Sequence, residues 1–181
     1  ERYALVIGSE QISTRLDMED RNTCVLFGDG AGATVIELKE GTELYSVWGS
    51  EGLTDVLGCT GQNMGKAHIF MDGQKTFKNA VKRMGSAAAE VLEQSGYTMD
   101  DIDYVVCHQA NERIIDAVVK RMDIPEEKVV KVIARYGNTS AASIPITLDE
   151  MYEQGMLEKG NRILLATFGA GFTWASMIVE I

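Results

Sequence analysis

Proline is nearly absent from this chain, with 2 in 181 residues, and histidine (2) and cysteine (3) are almost as scarce. With so little proline and no low-complexity tract, nothing in the composition marks a linker between independent domains. Cys24, Cys59 and Cys107 lack CxxC spacing. They fit a reducing compartment, the cytoplasm, better than a disulfide framework, and no Cys/His group has the spacing of zinc ligands. Basic residues are also in deficit, 17 against 27 acidic ones, for a net charge of −10. That balance argues against nucleic acid as a general partner, because phosphate binding needs a basic surface. No apolar run approaches the ~18 residues of a membrane-spanning helix. The opening ERYALVIGSE has no signal-peptide pattern. It enters an apparent core strand with no initiator methionine, which reads as the start of a fragment or a cleaved piece.

Hydrophobic residues make up 45% of the chain, enough for one sizeable core. YALVIG at 3–8 reads as a strand buried on both faces. TCVLFGDGAGATVIEL gives a β run, a glycine turn and a second β run, consistent with an antiparallel pair. RILLATFGAGFTWASMIVEI repeats that design, which suggests an internal duplication. Between the two, a β run lies around Glu43 to Trp48, and a glycine-rich stretch from Gly49 to Gly65 reads as a surface loop. Apolar residues at Phe77, Val81, Met84, Ala88, Val91 and Leu92 predict a helix over Lys75 to Gln94, stopped at Ser95-Gly96. The order then runs strand (Tyr104 to Cys107), helix (Glu112 to Met122), strand (Val129 to Ala134), helix (Ser140 to Gln154). An α/β fold follows, with a mostly parallel mixed sheet covered by helices.

Two polar side chains stand where strands should hand over to helices: His108 in VVCHQANERI and Asn138 in ARYGNTSAASIP. An imidazole N–H and an amide NH₂ can both donate to one oxygen, which suits a carbonyl that becomes an enolate or oxyanion. Each also has a structural reading. His108 could satisfy a buried carbonyl, and Asn138 sits in a good helix N-cap sequence. A nucleophile should complete such a site, and no cysteine fits well. Cys107 should point away from His108 by strand alternation, Cys24 reads as a buried strand residue, and Cys59 sits in a loop with nothing to lower its pKa. Ser9, Ser13 and Ser143 lack a nucleophile elbow. The turn Gly169-Ala170-Gly171 could present backbone N–H groups to an oxyanion or could be a tight hairpin only. Arg113 and Lys120 share a helix face beside Arg121. This is either a dock for an anionic partner or a solvated face with an Asp116–Lys120 pair.

Taken together, DRNTCVLFGDGAGATV, MDGQKTFKNAV, VVCHQANERI, GNTSAASIP and FGAGFTWAS resemble β-ketoacyl-(acyl-carrier-protein) synthase III, a thiolase-fold family that starts bacterial type II fatty acid synthesis. The resemblance implies a division into residues 1–40, the end of an N-terminal thiolase-like half, and 41–181, the C-terminal half. It implies that His108 and Asn138 belong to a Cys-His-Asn triad, that the Ala170 amide is an oxyanion donor, and that Gln109 and Arg113 meet the acyl carrier protein. Gly73, Phe77, Ala110 and Asn111 carry over as coenzyme A contacts. Arg15 falls one position late for a further coenzyme A contact. The family's nucleophilic cysteine precedes the strand with which this chain opens, so the chain alone is expected to be inactive. The resemblance further implies a decarboxylative Claisen condensation of acyl-CoA with malonyl-carrier, no cofactor beyond coenzyme A as part of the substrate, and a homodimer at full length. A docking or dimerisation module without catalysis, or a secondary-metabolite ketosynthase, are the alternatives.

Overall fold

Asp72 starts the longest helix by accepting the Lys75 N–H on its carboxylate (3.0 Å), and Gly96 ends it in a left-handed conformation (φ 73°). This helix, α1 (Gly73–Ser95), buries Ala80, Met84, Ala87, Ala88 and Val91 along one stripe. The computed structural model describes residues 2–60 and 68–181. Ahead of α1 lie β1 (Tyr3–Glu10), β2 (Gly30–Glu37), β3 (Tyr45–Ser50), β4 (Leu57–Cys59) and β5 (Ile69–Met71). After it come β6 (Tyr104–Cys107), α2 (Glu112–Met122), a single helical turn α3 (Ile133–Tyr136), α4 (Ser143–Glu153), β7 (Arg162–Gly169) and β8 (Thr173–Glu180).

The central sheet has the order β3-β8-β7-β6. Strand alternation divides its side chains between two cores. Val105, Cys107, Leu164, Ala166 and Ile178 face α1 and α2, whereas Val106 and Ile163 pack with Met151 of α4. The sheet is therefore covered by helices on both faces, as expected for an α/β protein. It is mixed, but parallel pairing is the minority: only β6 and β7 run parallel, while β3–β8 and β7–β8 are antiparallel.

The missing parallel strand is the Val129–Ala134 run. Only Val129 bridges Val105, and α3 begins by Ile133. The Gln109 side chain accepts the N–H groups of Val132 (2.9 Å) and Ile133 (3.1 Å), so a side chain does here what a neighbouring strand would have done. Thr23–Phe27 is likewise not a strand. The Asp20 carboxylate accepts the Asn22 N–H and the Thr23 hydroxyl, and this local pattern folds the segment into turns. The glycines from Gly30 onward enter β2, which pairs antiparallel with β1. The first glycine unit is thus no hairpin: its glycines lead into β2, whose antiparallel partner is β1, whereas the C-terminal unit does form the β7–β8 hairpin. Cys24 lies in these turns, half-buried rather than in a core strand. Within the expected loop 49–65, β4 pairs with β5; residues 61–65 of that loop lie outside the described residues.

β1 also differs from expectation. Among the described residues its only strand partner is β2, and the 3₁₀ turn Ser140–Ala142 together with the start of α4 crosses this ribbon along one stripe. A Cβ on Gly8 would lie 2.6 Å from the Ala141 carbonyl, and one on Gly32 would lie 2.8 Å from Pro145. Away from that stripe Tyr3, Leu5, Ile7 and Val35 are exposed, so the apolar run is not buried on both faces.

Candidate active site

His108 extends the alternation of β6. Cys107 points into the α1/α2 core, and its thiol is pushed up to about 12 by burial, so it stays protonated and structural. His108 therefore turns to the opposite face, toward α4, where its Nδ1 lies 2.6 Å from the Ser143 hydroxyl. Its backbone N–H continues the parallel ladder to the Ala166 carbonyl (2.8 Å). The imidazole meets the Phe168 ring edge-on, with centroids 5.6 Å apart, and Phe168 stacks on Phe172 at 5.3 Å. Only 8% of His108 is exposed, and burial lowers its pKa to about 4. At neutral pH the ring is uncharged.

Asn138 arrives by another route. Its backbone is held on both sides by the 26–28 turn: its N–H donates to the Leu26 carbonyl (2.8 Å), and its carbonyl accepts from Gly28 (2.9 Å). The side-chain Oδ1 accepts the Ser140 N–H at 2.9 Å. With the oxygen occupied inside its own turn, the NH₂ is the end left to donate elsewhere.

Both residues border one cavity of about 1420 Å³. Ala170, in the β7–β8 turn, borders it too. That turn is tied down from β3's end: Glu51 and Phe172 exchange backbone hydrogen bonds, and the Leu53 N–H donates to the Gly171 carbonyl (2.8 Å). Arg83 pairs with the Glu51 carboxylate and lies 4.4 Å above the Trp174 ring. Trp174 and Trp48 are part of the cavity wall. Gly49 makes room for the former, since a Cβ there would come within 2.5 Å of the indole.

Gly73, Phe77, Ala110, Asn111 and Arg113 also line this cavity, so eight of the nine residues expected from sequence meet in one place. Asn111 caps α2 by accepting the Arg113 N–H (2.9 Å), which sets the exposed Arg113 at the cavity's edge. Gln109 is the exception and a correction. It is 1% exposed, donates to the carbonyls of Cys107 (2.8 Å) and Val130 (3.3 Å), and accepts from Val132 and Ile133. With its amide fully used inside the fold, it cannot present itself to a carrier protein. Asp116 pairs with Lys131, not with Lys120. Arg15 ends a 3₁₀ turn and is not part of the cavity wall, although Ile12 of that turn is.

Sequence reasoning missed three residues. Ser143 lacks a nucleophile elbow, yet it is the partner of His108, and its place at the helix entry that follows Asn138 is the available signal. Phe168 immediately precedes the glycine turn and packs on the imidazole. Cys59 lies on β4, exposed, in the cavity wall rather than in an unstructured loop. No helix among the described residues is long and apolar enough to cross a membrane.

Comparison with known proteins places this arrangement. Residues 1–52 match the family model described as 3-oxoacyl-(acyl-carrier-protein) synthase III, and residues 92–181 match the model of its C terminal. The chain is 47% identical over 195 residues to the β-ketoacyl-(acyl-carrier-protein) synthase III of Caldanaerobacter subterraneus, with 99% of this chain aligned. It superposes on the crystal structure of the Aquifex aeolicus 3-oxoacyl-(acyl-carrier-protein) synthase III with a TM-score of 0.91 at 42% identity, covering 99% of this chain and 58% of that one. The priming β-ketosynthase of the R1128 polyketide pathway gives 0.93 at 35% identity, covering 99% and 57%. The chain spans about 58% of the length of the curated relatives it matches. The chain belongs to the 3-oxoacyl-(acyl-carrier-protein) synthase III family, with its thiolase fold.

Proposed function

We propose that this chain supplies the His and Asn of a ketosynthase III that condenses an acyl-CoA starter with malonyl-acyl carrier protein in cytoplasmic fatty acid synthesis. The observation that carries the reading is a neutral, buried His108 and an Asn138 with its amide oxygen already engaged, both bordering one cavity. Decarboxylation breaks the C–C bond of the malonyl thioester and leaves its electron pair in an enolate. CO₂ leaves, His108 and Asn138 donate to the enolate oxygen, and the enolate carbon attacks an acyl-cysteine carbonyl whose oxyanion meets the Ala170 N–H; collapse of that oxyanion breaks the C–S bond and expels the cysteine thiolate. Donors fixed in advance act where charge develops, and each such donor is typically worth ~3 kcal/mol of barrier. A charged imidazole would bind the malonyl carboxylate and oppose its loss, so the neutral ring suits the step.

The nucleophilic cysteine comes, in this reading, from polypeptide outside these 181 residues. Coenzyme A enters as part of the substrate along the wall formed by Gly73, Phe77, Ala110 and Asn111, and no resident cofactor is needed. Arg113 meets the acidic carrier protein at the rim. The test is decarboxylation and condensation of malonyl-carrier with an acyl-CoA by a preparation that also contains the cysteine-bearing part. Product with acetyl-CoA supports the fatty acid reading. Product only with a different starter supports the second reading, a priming ketosynthase like the R1128 enzyme. Carrier binding without decarboxylation would leave a docking module and overturn both.

A further inference from the structure

We propose that Ser143 is a positioning residue: its hydroxyl donates to His108 Nδ1 and so keeps the ring proton on Nε2, leaving that nitrogen as the ring's donor at the cavity His108 borders. Ser143 is the first residue of α4, is 2% exposed, and forms no part of the cavity wall, so it is not itself a nucleophile. Its Oγ lies 2.6 Å from His108 Nδ1 and accepts the backbone N–H of Gln109 at 3.3 Å. A hydroxyl has one proton and two lone pairs. The Gln109 amide fills one lone pair. Among the described residues, His108 Nδ1 is the one acceptor within reach of the Ser143 proton. If Nδ1 carried the ring proton instead, the contact would place a second donor on Oγ and leave a buried hydroxyl proton without an acceptor, which is costly in this setting.

The arrangement is also braced from behind. The Thr147 hydroxyl donates to the Ser143 carbonyl (2.8 Å), and the Phe168 ring closes the other side of the imidazole. Which histidine nitrogen holds the proton is set by the bond the other one makes. Ser143 thus turns a residue able to donate from either nitrogen into a donor aimed one way. Its catalytic value rests on the reading of His108 as a donor to the enolate oxygen; the tautomer itself does not.

The experiment begins with ¹⁵N spectra of the ring nitrogens in the 181-residue chain at neutral pH. There are only two histidines, and the His108→Asn variant identifies the His108 signals by their loss. The expected result is a proton-free, hydrogen-bonded Nδ1 and a protonated Nε2. In Ser143→Ala the signals shift toward a mixture of tautomers, and Ser143→Thr, which keeps the hydroxyl, restores the first pattern. In the complete enzyme, Ser143→Ala lowers the rate of malonyl decarboxylation roughly 10- to 100-fold, the range found for orienting partners of metal-bound histidines, with KM little changed. A wild-type Nδ1–H, or an unchanged Nε2–H in Ser143→Ala, overturns the proposal. The wild-type spectrum decides this even where a variant does not fold. If the tautomer responds as expected but His108→Ala still decarboxylates at the wild-type rate, it is the ketosynthase role of His108 that fails, and the Ser143 lock stands.

Discussion

His108 leaves the end of β6 with its amide still bonded into the sheet, whereas Asn138 leaves a helical turn and is held by the backbone of another turn, Leu26 to Gly28. One side chain is thus carried by the ladder and the central core. The other is carried by a loop-to-loop clasp whose approach, Val130 to Ile133, depends on one side chain, Gln109. Two routes of different construction deliver two groups to the same cavity. The difference teaches that the sheet fixes the imidazole, while Gln109 links the second route to the first by bonding the backbone of both.

That comparison can be broken at either end. The largest effect is expected on chemistry: His108→Ala should lower malonyl decarboxylation by the complete enzyme ~10²–10³-fold, as for loss of one preorganised donor. Asn138→Ala should fall in the same range, and a rate equal to wild type in either variant would end the idea that the routes converge on one oxygen. The next effect is on stability against pH. Burial lowers the His108 pKa from 6.5 to about 4, so between those values the unfolded chain takes up a proton that the folded chain does not. The contribution is complete above pH 6.5 and is lost as pH falls toward 4, roughly 3 kcal/mol in all. Urea titrations at pH 7 and pH 4.5 should show the drop, and His108→Asn should flatten it.

Gln109→Ala sharpens the comparison from inside the fold. It strips partners from the carbonyls of Cys107 and Val130 and from the N–H groups of Val132 and Ile133. A loss of about 2–4 kcal/mol is expected from urea unfolding, with hydrogen exchange rising first at 130–136 and not in β6. Equal rise in both places would show that the routes are one unit. The smallest effect is that of Asn138→Ala on stability. Removing the Oδ1 bond to the Ser140 N–H should cost about 1 kcal/mol by the same titration.

The ladder route was readable in the sequence and the clasped one was not. β6 and α2 fall at the residues expected for them, and α1 follows its apolar spacing and its Ser95-Gly96 stop. The opposite facing of Cys107 and His108 followed from strand alternation alone. Val129 to Ala134 is apolar enough for a strand, but whether a ladder forms depends on a neighbour, and here the side-chain amide of Gln109, 23 positions before Val132, takes that place. The burial of β1 failed for a related reason: an apolar run states what a strand can tolerate, not what covers it. The partners of Gln109 and Ser143 were not legible, because neither motif membership nor spacing reveals where a buried donor finds its acceptor. The cavity gathered the other expected residues because strand ends and helix starts collect at one edge of such a sheet.

Trp48 and Trp174 are the chain's two tryptophans, and both stand in the cavity wall, the first 79% exposed and the second under the Arg83 guanidinium. Excited at the red edge of protein absorption, the molecule therefore emits from nowhere except its cavity. A ligand that settles there and shields Trp48 from water would move the emission toward the blue, while events elsewhere on the surface would leave it dark to the spectrometer. The site carries its own optical probe, and a substrate can be titrated against unlabelled protein.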